Sequence, residues 1–184
     1  MNQKGFTLVE LAIVLVIIGV ILGGVIKGQE LVNSAKVKGL YREFQQVEYA
    51  TFGYYDRFNQ LPGDNAGDND SLIETGVTVG SGSESTQFWA DVTANGFYSG
   101  PDGTTLPTHT YGGDISVESV LYGFTKNAVC FTGINATDAL RFDTTFDDGI
   151  SDTGTIRGAT TGTAAATDDY ATAGASYKIC IQLD

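Results

Sequence analysis

Few residues in this 184-residue chain have types and spacings that could do chemistry. Asp143, Asp147, Asp148 and Asp152 crowd the segment FDTTFDDGISD, and Asp64, Asp68 and Asp70 crowd PGDNAGDND. Carboxylates on a Gly-containing loop are the oxygen ligands that calcium requires. Neither run has EF-hand spacing or the closing bidentate Glu of that motif, and solvated turns capped by Asp use the same residues. The second run is the better metal candidate, because its Asp pair precedes Gly149 in a tight loop. Calcium is therefore the one candidate cofactor, and no other is expected. His109 is the only histidine. A hydrolase triad would need it beside a Ser and an Asp. It lies in LPTHTYGG, a loop pattern, and is expected to be exposed and without function. Asn135-Ala136-Thr137 fits a glycosylation sequon, a pattern common by chance. No glycine loop for phosphate and no metal-spaced cysteine pair occurs, so catalysis is not expected.

Glu10 is the most unusual acid. It is the single charge in Phe6–Ile26, FTLVELAIVLVIIGVILGGVI. As a helix this run spans roughly 30 Å, the hydrocarbon thickness of a bilayer. A secretory signal would have a shorter apolar core and a small-residue cleavage site. Here Lys27-Gly28-Gln29-Glu30 follows and helical periodicity continues. A carboxylate inside a transmembrane helix costs about 2.5–3.5 kcal/mol on insertion scales and usually has a partner. The plain alternative is an acid near the helix start that reaches the interface with help from the dipole. Lysines flank the span on both sides, so charge bias alone does not orient it.

Lys4-Gly5-Phe6-Thr7-Leu8-Val9-Glu10 resembles the processing site of type IV prepilins and type II secretion pseudopilins: a short basic leader ending in Gly, then Phe, a Glu four residues on, and a continuous apolar helix. The close likeness covers about residues 4–32. It implies cleavage between Gly5 and Phe6 by a prepilin peptidase, N-methylation of Phe6, and pairing of Glu10 with the Phe6 amine of a neighbouring subunit. A fresh ammonium and a carboxylate attract strongly in low dielectric, and each is penalised alone. Many members of the family begin an unwound stretch near the position of Gly19 and end it with a Pro. This chain has Lys27 there, and Gly23, Gly24 and Gly28 serve either local loosening or close helix–helix approach. Some pseudopilins bind calcium in their heads, which bears on the Asp143 cluster.

The elements that must position these groups follow from periodicity. Val37, Leu40, Phe44, Val47, Thr51, Tyr54 and Phe58 recur at three- and four-residue steps, so one helix is predicted from about Thr7 to about Phe58. Its dense aromatics are expected to be core contacts. Leu61-Pro62-Gly63-Asp64 ends it. Residues 128–132 and 177–183 read as strands, and 137–146 as a short helix ending at Gly149. Residues 88–92 and 117–124 are apolar but ambiguous, and 158–176 is a low-complexity loop. Cys130 and Cys180 are the only cysteines. In an exported chain such a pair makes one disulfide, the alternative being two free thiols; with a single His they are too few for structural zinc.

Charge is divided along the chain. Residues 1–57 carry six basic and five acidic side chains, a net of +1, and residues 58–184 carry four and 17, a net of −13. Nucleic acid is not an expected partner of so acidic a domain. The expectation is an α+β protein: leader 1–5, transmembrane half-helix 6–26, amphipathic half-helix 27–60, and an extracytoplasmic head at 61–184 with a small antiparallel sheet against the upper helix. Its function would be that of a structural subunit of a type IV pilus or pseudopilus-like filament. Its partners would be copies of itself, related pilins, the prepilin peptidase and an inner-membrane assembly platform. It would cross the bacterial inner membrane once, then stand in a periplasmic or extracellular filament. The alternatives are a minor priming or tip subunit of a secretion or DNA-uptake system, and a tethered binding module or enzyme.

Overall fold

The computed structural model describes residues 7–64, 70–74, 78–79, 82–103, 105–160, 169–171 and 174–183. Residues Met1–Lys36 and Val37–Asp184 form two compact units. The first holds the beginning of α1 (Leu8–Phe58), which runs without a break through Gly19, Gly23, Gly24 and Gly28. Every apolar side chain from Leu8 to Ile26 is exposed within the chain. A helix apolar on all faces and buried by nothing of its own is long and apolar enough to cross a bilayer.

The second unit is built on the upper part of α1. Val37, Leu40, Phe44, Val47, Thr51 and Tyr54 are buried there, as their spacing requires, whereas Phe58 at the end of the stripe stays 39% exposed. Asn59 ends the helix in the left-handed region (φ 56°), a conformation Asn tolerates, and donates its N–H to the Tyr55 carbonyl at 2.7 Å. The glycines in this stretch mark close approach. A Cβ on Gly39 would lie 3.2 Å from the Thr110 hydroxyl, and one on Gly53 would lie 2.9 Å from the Phe97 ring.

The head follows in the order β1 (Thr78–Val79), β2 (Gly82–Ser83), α2 (Glu84–Ala94), β3 (Ile115–Ser119), β4 (Asn127–Asn135), α3 (Ala136–Phe146), β5 (Ile156–Thr160) and β6 (Ser176–Gln182). β1 and β2 form a minimal hairpin. The main sheet is antiparallel throughout, in the order β3-β4-β6-β5. Alternation along its strands makes two cores. Val129, Phe131, Tyr177, Ile179 and Ile181 join the α1 stripe, with Phe88, Trp89 and Val92 of α2 and Phe142 of α3. Ala128, Cys130 and Cys180 point to the other face and cluster with Tyr122, Phe124 and Ala159. Cys130 and Cys180 are register partners on β4 and β6 and are joined by a disulfide.

Several expectations change. The ambiguous segment at 88–92 is helical, since Phe88, Trp89 and Val92 face one side at a 3.6-residue period. The segment at 117–124 is strand only to Ser119, because Val120 (φ 53°) and Tyr122 (φ 52°) leave extended geometry. Residues 158–160, read as loop, belong to β5, where Gly158 and Ala159 are buried, and Ser176 opens β6. Tyr170, in the same low-complexity stretch, is a core residue. Residues 161–168 lie outside the described residues.

The disulfide closes a loop between residues 50 apart in sequence. In the chain-entropy account such a cross-link stabilises by about 4 kcal/mol. Replacing both cysteines by Ala should lower the unfolding free energy of the detergent-solubilised chain by about 4 kcal/mol, read from the fall in its denaturant midpoint, with the sheet retained by circular dichroism.

Candidate functional site

Two places gather the candidate residues. At the start of α1, Gly5 and Phe6 lie outside the described residues, while Thr7 and Glu10 are described. The Glu10 carboxylate accepts the Thr7 backbone N–H at 2.9 Å and the Thr7 hydroxyl at 2.8 Å through Oε2. The Glu10 N–H donates back to the Thr7 hydroxyl oxygen at 3.3 Å. This is a capping box: a Thr before the first turn and a Glu three residues on satisfy each other's orphan donors. Thr7 went unread as a functional residue, although Thr-x-x-Glu before an apolar run is a sequence signal for such a cap. Both bonds from Thr7 use one carboxylate oxygen, and an ionised carboxylate offers about four acceptor sites, so capacity remains for a second partner.

The second place is the loop after α3. Asp143, Asp147 and Asp148 each have an oxygen within 4.8 Å of the others; Asp152 is not in that group and is exposed. The loop's own donors already answer these carboxylates. Asp143 accepts the Tyr170 hydroxyl at 2.7 Å and the Gly149 N–H at 2.9 Å. Asp147 accepts the Thr155 and Ile156 N–H groups at 2.6 and 2.7 Å. Asp148 accepts the Ile150 N–H at 2.9 Å and the Thr153 hydroxyl at 2.6 Å. Burial pushes the Asp143 carboxyl up to about 6; the bonds from Tyr170 and Gly149 hold it back, and the Asp147 and Asp148 charges add to the rise. These acids tie α3 to β5, and their remaining acceptor sites lie close enough together that the group could hold a metal ion. Of the other acidic run, Asp68 lies outside the described residues, Asp64 is buried and accepts the Ser71 N–H at 3.0 Å, and Asp70 caps Leu72 at 2.8 Å.

His109 is buried, contrary to expectation. Its Nε2 donates to the Thr132 carbonyl at 2.7 Å, and its Nδ1 accepts the Tyr111 N–H at 3.2 Å. A carbonyl can only accept and an N–H can only donate, so the ring is held neutral with the proton on Nε2. Burial lowers its pKa, against the Thr132 bond and the Glu43 and Asp114 charges. Both ring nitrogens are occupied, so it pins loop 107–113 to β4 and activates no nucleophile. Asn135, the sequon residue, caps α3 by accepting the Asp138 N–H at 3.0 Å, and its amide nitrogen donates to the Asp138 carboxylate at 2.7 Å.

Residues 1–26 match the family described as the prokaryotic N-terminal methylation motif. The match covers this N-terminal segment alone, the part in which the chain resembles type IV prepilins and pseudopilins. No curated protein matches the chain. Among solved structures it is similar to the major type IV pilin PilA1 from Clostridium difficile, with 12% identity over 83% of this chain and 98% of that one and a TM-score of 0.46. The matched residues take in Gly5, Phe6, Thr7 and Glu10 together with the exposed apolar part of α1 from Leu8 to Ile26.

Linkage gives the acidic loop a testable sign. The folded Asp143 keeps its proton from about pH 4 to about pH 6, where the unfolded chain has lost it. Its contribution to stability is therefore fully present below about pH 4 and is lost as pH rises through 6. Relative to Asp143→Asn, the native chain should lose stability between pH 4 and 7, read from paired denaturant midpoints. A constant difference across that range would remove the assignment.

Proposed function

We propose that this chain is a structural subunit of a type IV pilus or pseudopilus-like filament, cut between Gly5 and Phe6 and N-methylated on Phe6. The observation that carries the reading is the methylation motif at residues 1–26, whose part from Leu8 on is helix with every apolar side chain exposed within the chain. In this reading residues 1–5 are the leader, 6–26 the membrane half of the helix, 27–60 its amphipathic half, and 61–184 the extracytoplasmic head. The chain crosses the inner membrane once before assembly and then stands in a periplasmic or extracellular filament. A prepilin peptidase, an assembly platform, other copies and related pilins are its partners.

Cleavage would expose the Phe6 ammonium one residue before the Thr7–Glu10 cap. Glu10 then serves two purposes: it closes the cap within its own chain, and its charge pairs with the Phe6 ammonium of a neighbour. In hydrocarbon an unpaired ammonium or carboxylate is strongly disfavoured, so the pair selects one axial register. The filament role needs no catalytic group, and the disulfide suits a head exposed to an oxidising compartment. A chain that used α1 only as a tether would need neither the Gly5–Phe6 junction nor Glu10. A minor, priming subunit would share every one of these features and differ in abundance in sheared surface material.

Mass spectrometry of the mature N-terminus should find methylated Phe6; a membrane-fraction chain still starting at Met1 contradicts processing. Gln can close the same capping box without charge. Glu10→Gln should therefore keep processing and helix content but lose filament assembly as fully as Glu10→Leu. Wild-type filament yield from Glu10→Gln would show that the charge pair is not what selects the register.

A further inference from the structure

The side of α1 turned away from the sheet is chemically unlike the rest of the head. Lys38, Arg42, Tyr49 and Phe52, at steps of four, seven and three, lie on one helical face opposite the buried stripe. Tyr49 is 69% exposed and Phe52 is 45% exposed, large values for aromatic side chains in a folded unit. Neither Lys38 nor Arg42 enters an ion pair among the described residues; Arg42 only donates from Nε to the Lys38 carbonyl at 3.4 Å. The cations of the sheet and of α3 are otherwise engaged: Lys178 pairs with Glu118 at 2.6 Å, Arg157 lies over the Phe124 ring, and Arg141 stands 4.0 Å from Asp138. A basic and aromatic strip therefore stands out on a head whose residues 58–184 carry a net charge of −13.

Its complement is on the same chain. The loop after α3 presents Ile150, 44% exposed, between the exposed carboxylates Asp148 and Asp152. The hydrogen bonds of Asp147 and Asp148 brace that loop, so little ordering entropy would be lost on docking.

We propose that the Lys38–Arg42–Tyr49–Phe52 face of one copy takes the Asp148–Ile150–Asp152 loop of a second copy, with Ile150 against the two rings and the carboxylates against the two cations. The two patches are different, so the contact is heterologous: a joined pair still offers one free patch of each kind, and a rotation that does not close extends it into an open array, as a filament requires. Charge complementarity steers the encounter and sets its register, while the apolar part supplies buried area. This contact rests on the filament reading and adds a head-to-head interface to it.

The test uses filaments assembled by the whole chain after its own processing. Carbodiimide, which joins touching amines and carboxylates, should link Lys38 in filaments to the tryptic peptide 142–157 of a second copy. Exchanging both cations for acids, Lys38→Glu with Arg42→Glu, should cut filament yield several-fold, and adding Asp152→Lys should recover part of it. Wild-type yield from the charge-reversed chain, no recovery on adding Asp152→Lys, or Lys38 linked only to other segments overturns the contact. Filaments of the native chain that lack the Lys38 link to peptide 142–157 leave the filament reading standing and remove this interface alone. No filaments at all removes both.

Discussion

The packing of one stripe of α1 on one face of the four-stranded sheet is the contact on which the head depends. Val37, Leu40, Phe44, Val47 and Tyr54 meet the inner residues of β4 and β6, while α2 and α3 add Phe88, Trp89, Val92 and Phe142 to the same core. Both partners are one-sided: the helix carries its apolar residues at three- and four-residue steps, the strands carry theirs at every second position, and neither can bury its stripe alone. Once the stripe is seated, the opposite face of the helix is left to solvent, and Lys38, Arg42, Tyr49 and Phe52 are the residues found there.

Toward its N-terminus the same helix is apolar on every face. There every apolar side chain is exposed within the chain, so burial must come from lipid or from neighbouring helices. The change of character near Lys27 is a change of environment written into one continuous element. The Thr7 cap explains how one copy holds the Glu10 carboxylate; its net charge is what a neighbour would read.

Two features keep the far side of the sheet and its loops in place. The disulfide staples the paired central strands on the face that α1 does not cover, where the second core is small. The aspartates after α3 accept backbone N–H groups that a turn between helix and edge strand would otherwise leave unsatisfied. Their density looks like a metal site in sequence because both uses need oxygen acceptors close together.

What could be read without coordinates followed from short-range physics. The α1 stripe, the inner and outer faces of residues 177–183, the limits of α3 and the span beginning at Phe6 all come from periodicity, and the Gly5-Phe6-Glu10 signal is local. Tertiary placement settled what spacing cannot express. His109 left its expected loop surface for a buried site because Thr132 and Tyr111, distant or adjacent in sequence, answer both its nitrogens. Tyr170 left a low-complexity run for the core because Asp143 accepts its hydroxyl. The aromatics of α1 divided into core and exposed sets according to which side the sheet occupied. By itself the sequence determined one long helix, apolar on all faces at one end and one-sided at the other, and a terminal motif. Only the folded chain decided which polar groups pair across it, because those partners meet through the sheet and not along the backbone.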